Sequence, residues 1–261
     1  MGILEGIFLG IVQGLTEFLP VSSSGHLVIF QHFLGIREAG ITFEVMVHFG
    51  TLVSVLCVFG NDILRILRNF YRKKQERHFL LMLVLGVIPT GLMGILLKDY
   101  FAGFYESPAT TGLMLLVTGC LLYTLAYLRP GEKNEATMKG IDALLISVAQ
   151  GIAIIPGISR SGATITSALW LGLDRETAVR FSFLVSIPVI LGATLLEAKD
   201  LAAAGFNNLS AGVLLGMLAA FLSGILAIRL FVKVLRSGKF HYFAYYCWFA
   251  GIISLLFTWL V

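Results

Sequence analysis

The sequence predicts an all-α integral membrane protein with six transmembrane helices plus two re-entrant helix-loop-helix hairpins in an inverted-topology repeat. Composition supports this fold class, because 57% of the 261 residues are hydrophobic and 13% are charged. Soluble domains carry about 25% charged residues. Six apolar segments are long enough to span a bilayer, and two polar motifs beginning at Gln13 and Gln150 repeat each other 137 positions apart. We therefore expect a single membrane domain over 1–261.

The six predicted spans follow from length, since a spanning helix needs about 20 apolar residues. They lie near 41–60, 78–98, 108–128, 176–197, 208–232 and 240–260. The apolar regions 2–35 and 140–173 differ, because a proline and a serine-rich turn interrupt each of them. A helix over 26–35 would reach about 15 Å, half of the hydrocarbon thickness. These two regions are therefore predicted to enter and leave the membrane on the same side.

Charge distribution predicts the orientation of the repeats. Each half has one hairpin and three spans, so the second half (about 138–261) is inverted relative to the first (about 1–130). The residues predicted to be cytoplasmic by the positive-inside rule are Arg65, Arg68, Arg72, Lys73, Lys74, Arg77, Arg129, Lys133, Lys139, Arg175, Arg180, Arg229, Lys233, Arg236 and Lys239. The loops around 98–106 and 197–210 and both termini are predicted to lie outside. The net charge of +4 is thus interpreted as a topology signal, not as a nucleic-acid site.

The first motif places polar side chains inside an apolar helix. Glu17 is an ionisable residue at membrane depth, which indicates function by default, and Gln13 lies one turn before it on the same face. The residues that open the following half-helix are Ser22, Ser23, Ser24, Gly25 and His26. They are typical N-cap residues. His26 beside hydroxyls is also typical of general acid/base chemistry, and Ser23 is predicted as either a nucleophile or a phosphate ligand.

The second motif predicts an anion site. The half-helix after Pro156 begins with Ser159, Arg160, Ser161 and Gly162, and Thr164 follows one turn later. Two half-helix N-termini directed at one region attract phosphate through free N–H groups and the helix dipole. Arg160 adds a fixed charge suited to bidentate phosphate binding. An ion pair between Arg160 and Glu17 is the structural alternative, and an empty site can hold that pair and open it for substrate.

Other residues give weaker signals. Gln13 and Glu17 together could hold a divalent cation that bridges to phosphate oxygens. Glu44 and His48 either line the same cavity or pack at the helix end. The remaining features are interpreted structurally, with the cysteines as packing residues and the aromatic segment as an interfacial belt. These residues are Cys57, Cys120 and Cys247, and Phe240, Tyr242, Phe243, Tyr245, Tyr246 and Trp248.

Both motifs resemble those of the undecaprenyl-diphosphate phosphatase family of bacteria, the type associated with bacitracin resistance. One motif is Gln/Glu-x-x-x-Glu followed by Pro-Val-Ser-Ser-x-Gly-His, over 13–26, and the other is Pro-Gly-x-Ser-Arg-Ser-Gly-x-Thr, over 156–164. The resemblance covers essentially the whole chain. It implies a phosphatase of the bacterial plasma membrane that hydrolyses undecaprenyl diphosphate and recycles the lipid carrier for peptidoglycan synthesis. It also implies a need for Mg²⁺ or Ca²⁺ and no organic cofactor.

The resemblance also implies roles for individual residues. Those that match the family's catalytic positions are Glu17, Ser23, His26 and Arg160, and those that match its supporting positions are Ser22, Ser159 and Thr164. Gln13 stands where other members have Glu, so any metal or acid/base role shifts towards Glu17. The implied partners are a polyprenyl diphosphate and membrane lipids, with no nucleic acid, and a homodimer is left open.

Architecture alone favours a different class of protein. Inverted repeats with broken helices are typical of secondary transporters, so a transporter or a lipid-phosphate flippase is the alternative. The set of Ser, His, Arg and Glu side chains is chemically richer than a carrier needs, and it favours the enzyme.

Overall fold

The computed structural model describes residues 1–36, 40–97, 100–101, 103–104, 107–129, 131–204, 210–236 and 238–260. Within these ranges the chain is helical, and its β-structure is confined to an isolated bridge between Lys133 and Leu173. The helices are α1 (Ile3–Phe18), α2 (Ser23–Phe33), α3 (Gly40–Asn69), α4 (Lys74–Leu85), α5 (Ile88–Leu96), α6 (Pro108–Tyr123), a 3₁₀ turn (Thr124–Ala126), α7 (Gly140–Ile152), α8 (Arg160–Trp170), α9 (Arg175–Ala204), α10 (Ala211–Arg236) and α11 (Tyr242–Leu260).

The prediction of six spans is confirmed in the described part of the chain. The helices long and apolar enough to cross a membrane are Thr42–Asn69, Lys74–Leu96, Pro108–Ala126, Arg175–Leu196, Ala211–Val234 and Tyr242–Trp259. The second of these consists of α4 and α5, which join at Gly86. Pro89, at the start of α5, has no backbone N–H with which to continue the helical hydrogen bonds of α4. Of the predicted outer loops, Lys98, Asp99, Glu106 and 205–209 lie outside the described residues. The protein is therefore a multi-pass α-helical membrane protein.

Four shorter helices form two broken units. Helices α1 and α2 have 16 and 11 residues and are separated by 19–22, whereas α7 and α8 have 13 and 11 residues and are separated by 153–159. Each helix is shorter than the roughly 20 residues of a complete span. Pro20 and Pro156 lie in the two turns, where a proline can neither donate nor continue the preceding helix. Each unit thus brings an interrupted backbone into the helical bundle.

Glycines let the first broken unit pack closely. Helix α1 lies along α10, and a Cβ on Gly6 or Gly10 would overlap the backbone of Gly212 or Gly216. Small residues at a helix interface allow this approach of two backbones in a membrane protein. Helix α10 in turn packs on α3, where the Ser54 hydroxyl donates to the Phe221 carbonyl at 2.8 Å. The helix that carries Glu17 is therefore held against two spans.

The second broken unit is held by polar contacts. Helix α7 packs on α5, and Thr90 accepts a hydrogen bond from Gln150 at 3.1 Å and donates one to the carbonyl of Ser147 at 2.8 Å. All three residues are buried. Because buried polar groups are costly when unpaired, this cluster fixes the rotation of α7 against α5.

Ion pairs join several elements at the end of the bundle that carries many of the basic residues. Arg65 pairs with Glu76 at 3.3 Å, and Arg180 pairs with Asp62 at 3.0 Å and with Glu135. These residues belong to α3, α4, α9 and the segment after the 3₁₀ turn. The network ties α3 to α9 beneath the broken units.

Candidate active site

The two turns meet each other. The backbone N–H of Gly157 donates to the hydroxyl of Ser22 at 3.1 Å, and the hydroxyl of Ser161 donates to the carbonyl of Leu19, also at 3.1 Å. A Cβ on Gly25 would lie 3.0 Å from the Cα of Gly157, so the approach depends on a residue without a side chain. The contact between the two tips, expected from the repeated motifs, is therefore present.

Serine N-caps give both turns the same local geometry. Ser22 begins α2 by accepting from the N–H of Gly25 at 3.3 Å, and Ser159 begins α8 by accepting from the N–H of Gly162 at 3.1 Å. Ser22 has a φ of 67°, a positive value that no other described non-glycine residue adopts. Such a conformation costs about 1–3 kcal/mol and persists only where its surroundings hold it. The hydrogen bonds from Gly25 and Gly157 hold Ser22.

Glu17 connects the two motifs. Its Oε1 accepts from Nη2 of Arg160 at 2.9 Å, and its Oε2 accepts from Nε2 of Gln13 at 2.9 Å and from the Ser23 hydroxyl. The carboxyl group is buried. The ion pair that the sequence offered as the alternative role of Arg160 is thus formed, and it sets Ser23 and Arg160 on the two oxygens of one carboxylate.

Unused hydrogen-bond donors surround this carboxylate. Nη1 of Arg160 is buried and has no hydrogen-bond partner. The first N–H groups of α2 and α8 also have no acceptor within their helices, since the first turn of a helix always leaves donors free. Ser23 and Arg160 are the first residues of these helices, so an acceptor placed beside them would meet donors from both. The arrangement is chemically suited to a phosphate group.

Several predicted phosphate ligands use their hydroxyls in contacts within the protein. The Thr164 hydroxyl contacts the carbonyl of Arg160 at 2.9 Å and the hydroxyl of Ser182 at 2.5 Å. The hydroxyls of Ser159 and Ser161 lie 3.3 Å apart. The residues with buried side chains are Thr164, Ser182, Ser159 and Ser161, whereas Ser23 and Ser24 are half-buried. The half-buried serines are therefore the more accessible hydroxyls of the cluster.

His26 is buried and engaged on both sides of its ring. Nδ1 lies 2.7 Å from the carbonyl oxygen of Ser22, and Nε2 lies 2.7 Å from the hydroxyl of Tyr246. Neither ring nitrogen is bonded to Glu17. Tyr246 was assigned to an interfacial belt, and this assignment missed its contact with the site. No local signal could have revealed it, because the two residues are 220 positions apart.

The cysteines differ in their surroundings. Cys247 is buried, and its Sγ lies 3.6 Å from the carbonyl oxygen of Pro20 in the first turn. Cys57 and Cys120 are exposed on the protein surface, so the prediction that all three are packing residues is wrong for these two. The hydropathy of a segment in a membrane protein does not show which of its faces contacts protein and which contacts lipid.

The oxygens available to a metal ion fit a hard divalent cation. The buried Oε1 of Gln13 has no hydrogen-bond partner and belongs to the residue whose Nε2 bonds Glu17. Amide and carboxylate oxygens are the ligands that Mg²⁺ and Ca²⁺ prefer. Among the described residues no group of three His, Cys, Asp or Glu side chains could hold a metal. The protein therefore offers two oxygens, and a bound ion would complete its coordination with water or phosphate.

His48 lies on α3, which packs against α1. Its Nδ1 lies 2.8 Å from the carbonyl oxygen of Glu44, which fixes the ring orientation. That His48 lines the same cavity as the site stays a prediction.

Comparison with known proteins identifies the family. The family model described as bacitracin resistance protein BacA matches residues 6–253. An undecaprenyl-diphosphatase of Halothermothrix orenii is 49% identical over 257 residues, covering 98% of each chain. A second undecaprenyl-diphosphatase, from Alkaliphilus metalliredigens, is 44% identical and covers 99% of each chain. The chain belongs to the BacA family of bacitracin resistance proteins.

Proposed function

We propose that this protein is an undecaprenyl-diphosphatase, which hydrolyses undecaprenyl diphosphate to undecaprenyl phosphate and inorganic phosphate and so recycles the lipid carrier for peptidoglycan synthesis. The observation that carries the proposal is the Glu17 carboxylate, which holds a hydroxyl on one oxygen and a guanidinium on the other. Full-length relatives named for the same activity support it.

Substrate binding begins with an exchange of partners. The terminal phosphate accepts hydrogen bonds from the buried Nη1 of Arg160 and from the N-termini of α2 and α8. Arg160 then shifts from Glu17 to the phosphate, because a dianionic group competes well for a guanidinium. The exchange leaves the carboxylate free to accept a proton from Ser23.

Phosphoryl transfer follows at Ser23. Its oxygen forms a bond to the terminal phosphorus, the proton passes to Glu17, and the bond from phosphorus to the bridging oxygen breaks. The leaving undecaprenyl phosphate departs as an anion and needs no proton, since the second pKa of a phosphate monoester is about 6. Arg160 and the helix N-termini neutralise charge on the transferred group. Water then attacks the phosphorus of the phosphoserine while His26, on the same face of α2, takes a proton from the water. The bond from the Ser23 oxygen to phosphorus breaks, Glu17 returns its proton to that oxygen, and phosphate is released.

A divalent cation, Mg²⁺ or Ca²⁺, would be held by Oε1 of Gln13 and by the carboxylate of Glu17. When bound, such an ion supplies positive charge to the diphosphate oxygens. Gln13 is suited to this role, because the bond from its Nε2 to Glu17 leaves its buried oxygen without a hydrogen-bond partner.

The architecture proposed for this function is an inverted repeat of about 1–130 and 138–261. Its two broken units are re-entrant hairpins, and both termini lie outside. Matching serine caps on α2 and α8 support the repeat, as does the equivalent packing of α1 on α10 and of α7 on α5. The diphosphate would reach the meeting tips while the polyprenyl chain lies among the spans.

Arg160→Ala tests the proposal. Phosphate release from farnesyl or undecaprenyl diphosphate in detergent should fall by about 1,000-fold or more, because the variant loses a guanidinium that acts on the transferred group. Arg175→Ala is the matched control, since Arg175 begins α9 away from the turns and should leave turnover unchanged. EDTA should lower the wild-type rate, and added Mg²⁺ or Ca²⁺ should restore it.

Two results would contradict the proposal. One is wild-type turnover in Arg160→Ala. The other is movement of the lipid across a liposome bilayer by the wild-type protein without any phosphate release, which would favour the transporter or flippase.

A further inference from the structure

We propose that Tyr246, on the last spanning helix, is a positioning residue that holds the ring of His26 in one orientation. The inference rests on the proposed function, in which His26 activates the water that releases phosphate. Tyr246 lies on α11 and His26 on α2, so their hydrogen bond joins the end of the chain to the first broken unit.

The hydrogen-bond partners of His26 determine its tautomer. The carbonyl of Ser22 can only accept, so the hydrogen of a neutral ring sits on Nδ1, which lies 2.7 Å from that oxygen. Nε2 is then an acceptor, and the Tyr246 hydroxyl donates to it at 2.7 Å. A neutral His26 acts as a base through this lone pair of Nε2, and the Tyr246 hydroxyl holds the nitrogen until a water molecule replaces it.

The orientation of the ring is fixed as well. The rings of His26 and Tyr246 are nearly parallel, with 7° between their planes and 5.6 Å between their centroids. The ring of Phe30 lies 6.4 Å from that of His26. Because the two hydrogen bonds join opposite edges of the imidazole, a flip of the ring would break both. Tyr246 therefore restricts the orientation of the ring, whereas the Ser22 carbonyl fixes its protonation pattern.

A second contact from the same helix supports this role. Cys247, next to Tyr246, places its Sγ 3.6 Å from the carbonyl oxygen of Pro20. Consecutive residues of α11 thus contact the first turn and the helix that follows it. Ser22, whose carbonyl receives the His26 hydrogen, is the residue with positive φ. Helix α11 therefore braces the strained part of the site.

Neighbouring tyrosines distinguish this role from that of an interfacial belt. Tyr245 packs edge-on against Tyr123 and Trp248, and Tyr242 packs against His241 and Tyr245. These are contacts between aromatic rings at the periphery. Among these three tyrosines of α11, Tyr246 is the one whose hydroxyl bonds a residue of the site.

Tyr246→Phe removes one oxygen and keeps the ring stack. The expected result is a fall in kcat of about tenfold, the usual effect of losing one positioning hydrogen bond to a reacting group. KM should stay within about twofold, because the phosphate is bound by Arg160 and the helix N-termini. Tyr245→Phe is the matched control and should keep wild-type kcat and KM.

The tautomer is tested directly by NMR of protein labelled with ¹⁵N-histidine in detergent. Five histidines are present, and the His26 signals are assigned by their loss in His26→Asn. Wild type and both variants should show a protonated Nδ1, because the Ser22 carbonyl fixes the hydrogen there, whereas Tyr246→Phe should shift the Nε2 resonance of His26, because that nitrogen loses its donor. Equal melting temperatures for the two Phe variants would exclude unfolding as the cause.

The kinetic measurement and the NMR measurement together separate this inference from the proposed function. An unchanged His26 Nε2 resonance in Tyr246→Phe, or a kcat equal to that of Tyr245→Phe, would overturn the role of Tyr246. A wild-type protein that releases no phosphate would overturn the function instead, and the NMR arm would still decide whether Tyr246 positions His26.

Discussion

The turn 19–22 and the turn 153–159 share a scaffold but carry different chemistry. With an offset of 137 positions, Ser22 matches Ser159, and each accepts from a glycine N–H three residues later. Pro20 matches Gly157, and each carbonyl contacts a side chain of a peripheral span, Cys247 in one case and Thr118 in the other. The repeated residues thus build the same turn twice.

The positions that differ bring the reactive groups together. The first residue of α2 is Ser23, and the matching first residue of α8 is Arg160. Both side chains reach Glu17, one on each carboxylate oxygen, whereas the match of Glu17 in the second motif is Ile154. The equivalent first residues of α2 and α8 therefore place a hydroxyl and a guanidinium on one carboxylate. The repeated turn gives both helices the same start, and the differing residues give each helix a separate role.

Among the substitutions that test this difference between the two turns, the largest change in kcat is expected at Ser23. Ser23→Ala should lower kcat by about 1,000-fold if its oxygen attacks phosphorus, since loss of a nucleophile removes the main route. Ser24→Ala is the matched control, because Ser24 is equally accessible and contacts Ser22, not Glu17. We expect it to keep kcat within about fivefold. Phosphate release from farnesyl diphosphate is the measurement, and equal losses in the two variants would remove the special role of Ser23.

A smaller effect should distinguish the two glutamines. Gln13→Glu places a second carboxylate beside Glu17, and we expect the Mg²⁺ concentration for half-maximal activity to fall by about tenfold, because carboxylates bind this ion more strongly than amides. Gln150→Glu is the control, since Gln150 bonds Thr90 away from the acid. The measurement is a Mg²⁺ titration after EDTA treatment. The metal role of Gln13 would be wrong if both variants kept the wild-type midpoint.

The smallest effects should appear in stability. Ser159→Ala removes an N-cap and should cost about 1 kcal/mol. Ser22→Ala should cost about 2 kcal/mol, because it also leaves the Gly157 N–H without its acceptor. Ser22→Gly should fall between Ser22→Ala and wild type, since glycine relieves the positive φ. Thermal unfolding in detergent measures this order, and equal losses for both alanine variants would mean that the hydrogen bond from the Gly157 N–H to Ser22 adds no stability.

Much of the fold was predictable because membrane spans are encoded locally. Apolar length marked the first span at 41–60, and the structure extends it to Asn69. The extension mixes polar and apolar residues, and its Asp62 and Arg65 enter an ion-pair network with α4, α9 and Glu135. Such partners lie far away in sequence, so the boundary was not predictable from hydropathy.

The candidate site was predictable in composition and not in its contacts. The motifs named Glu17, Ser23 and Arg160. The placement of Ser23 and Arg160 on the two carboxylate oxygens of Glu17 depends on the meeting of α2 and α8. Tyr246 and Thr118 were missed for the same reason, since each reaches the turns from a separate span.

By itself, the sequence determined what is local. Apolar length set the spans, prolines and serines set the breaks and caps, and the charged residues in apolar surroundings marked the site. The tertiary structure decided which oxygen of Glu17 meets which partner, which tautomer His26 adopts and which cysteine is buried. These features depend on side chains that approach from different helices, and the packing of those helices through contacts such as Gly10 on Gly216 arises only when the bundle forms.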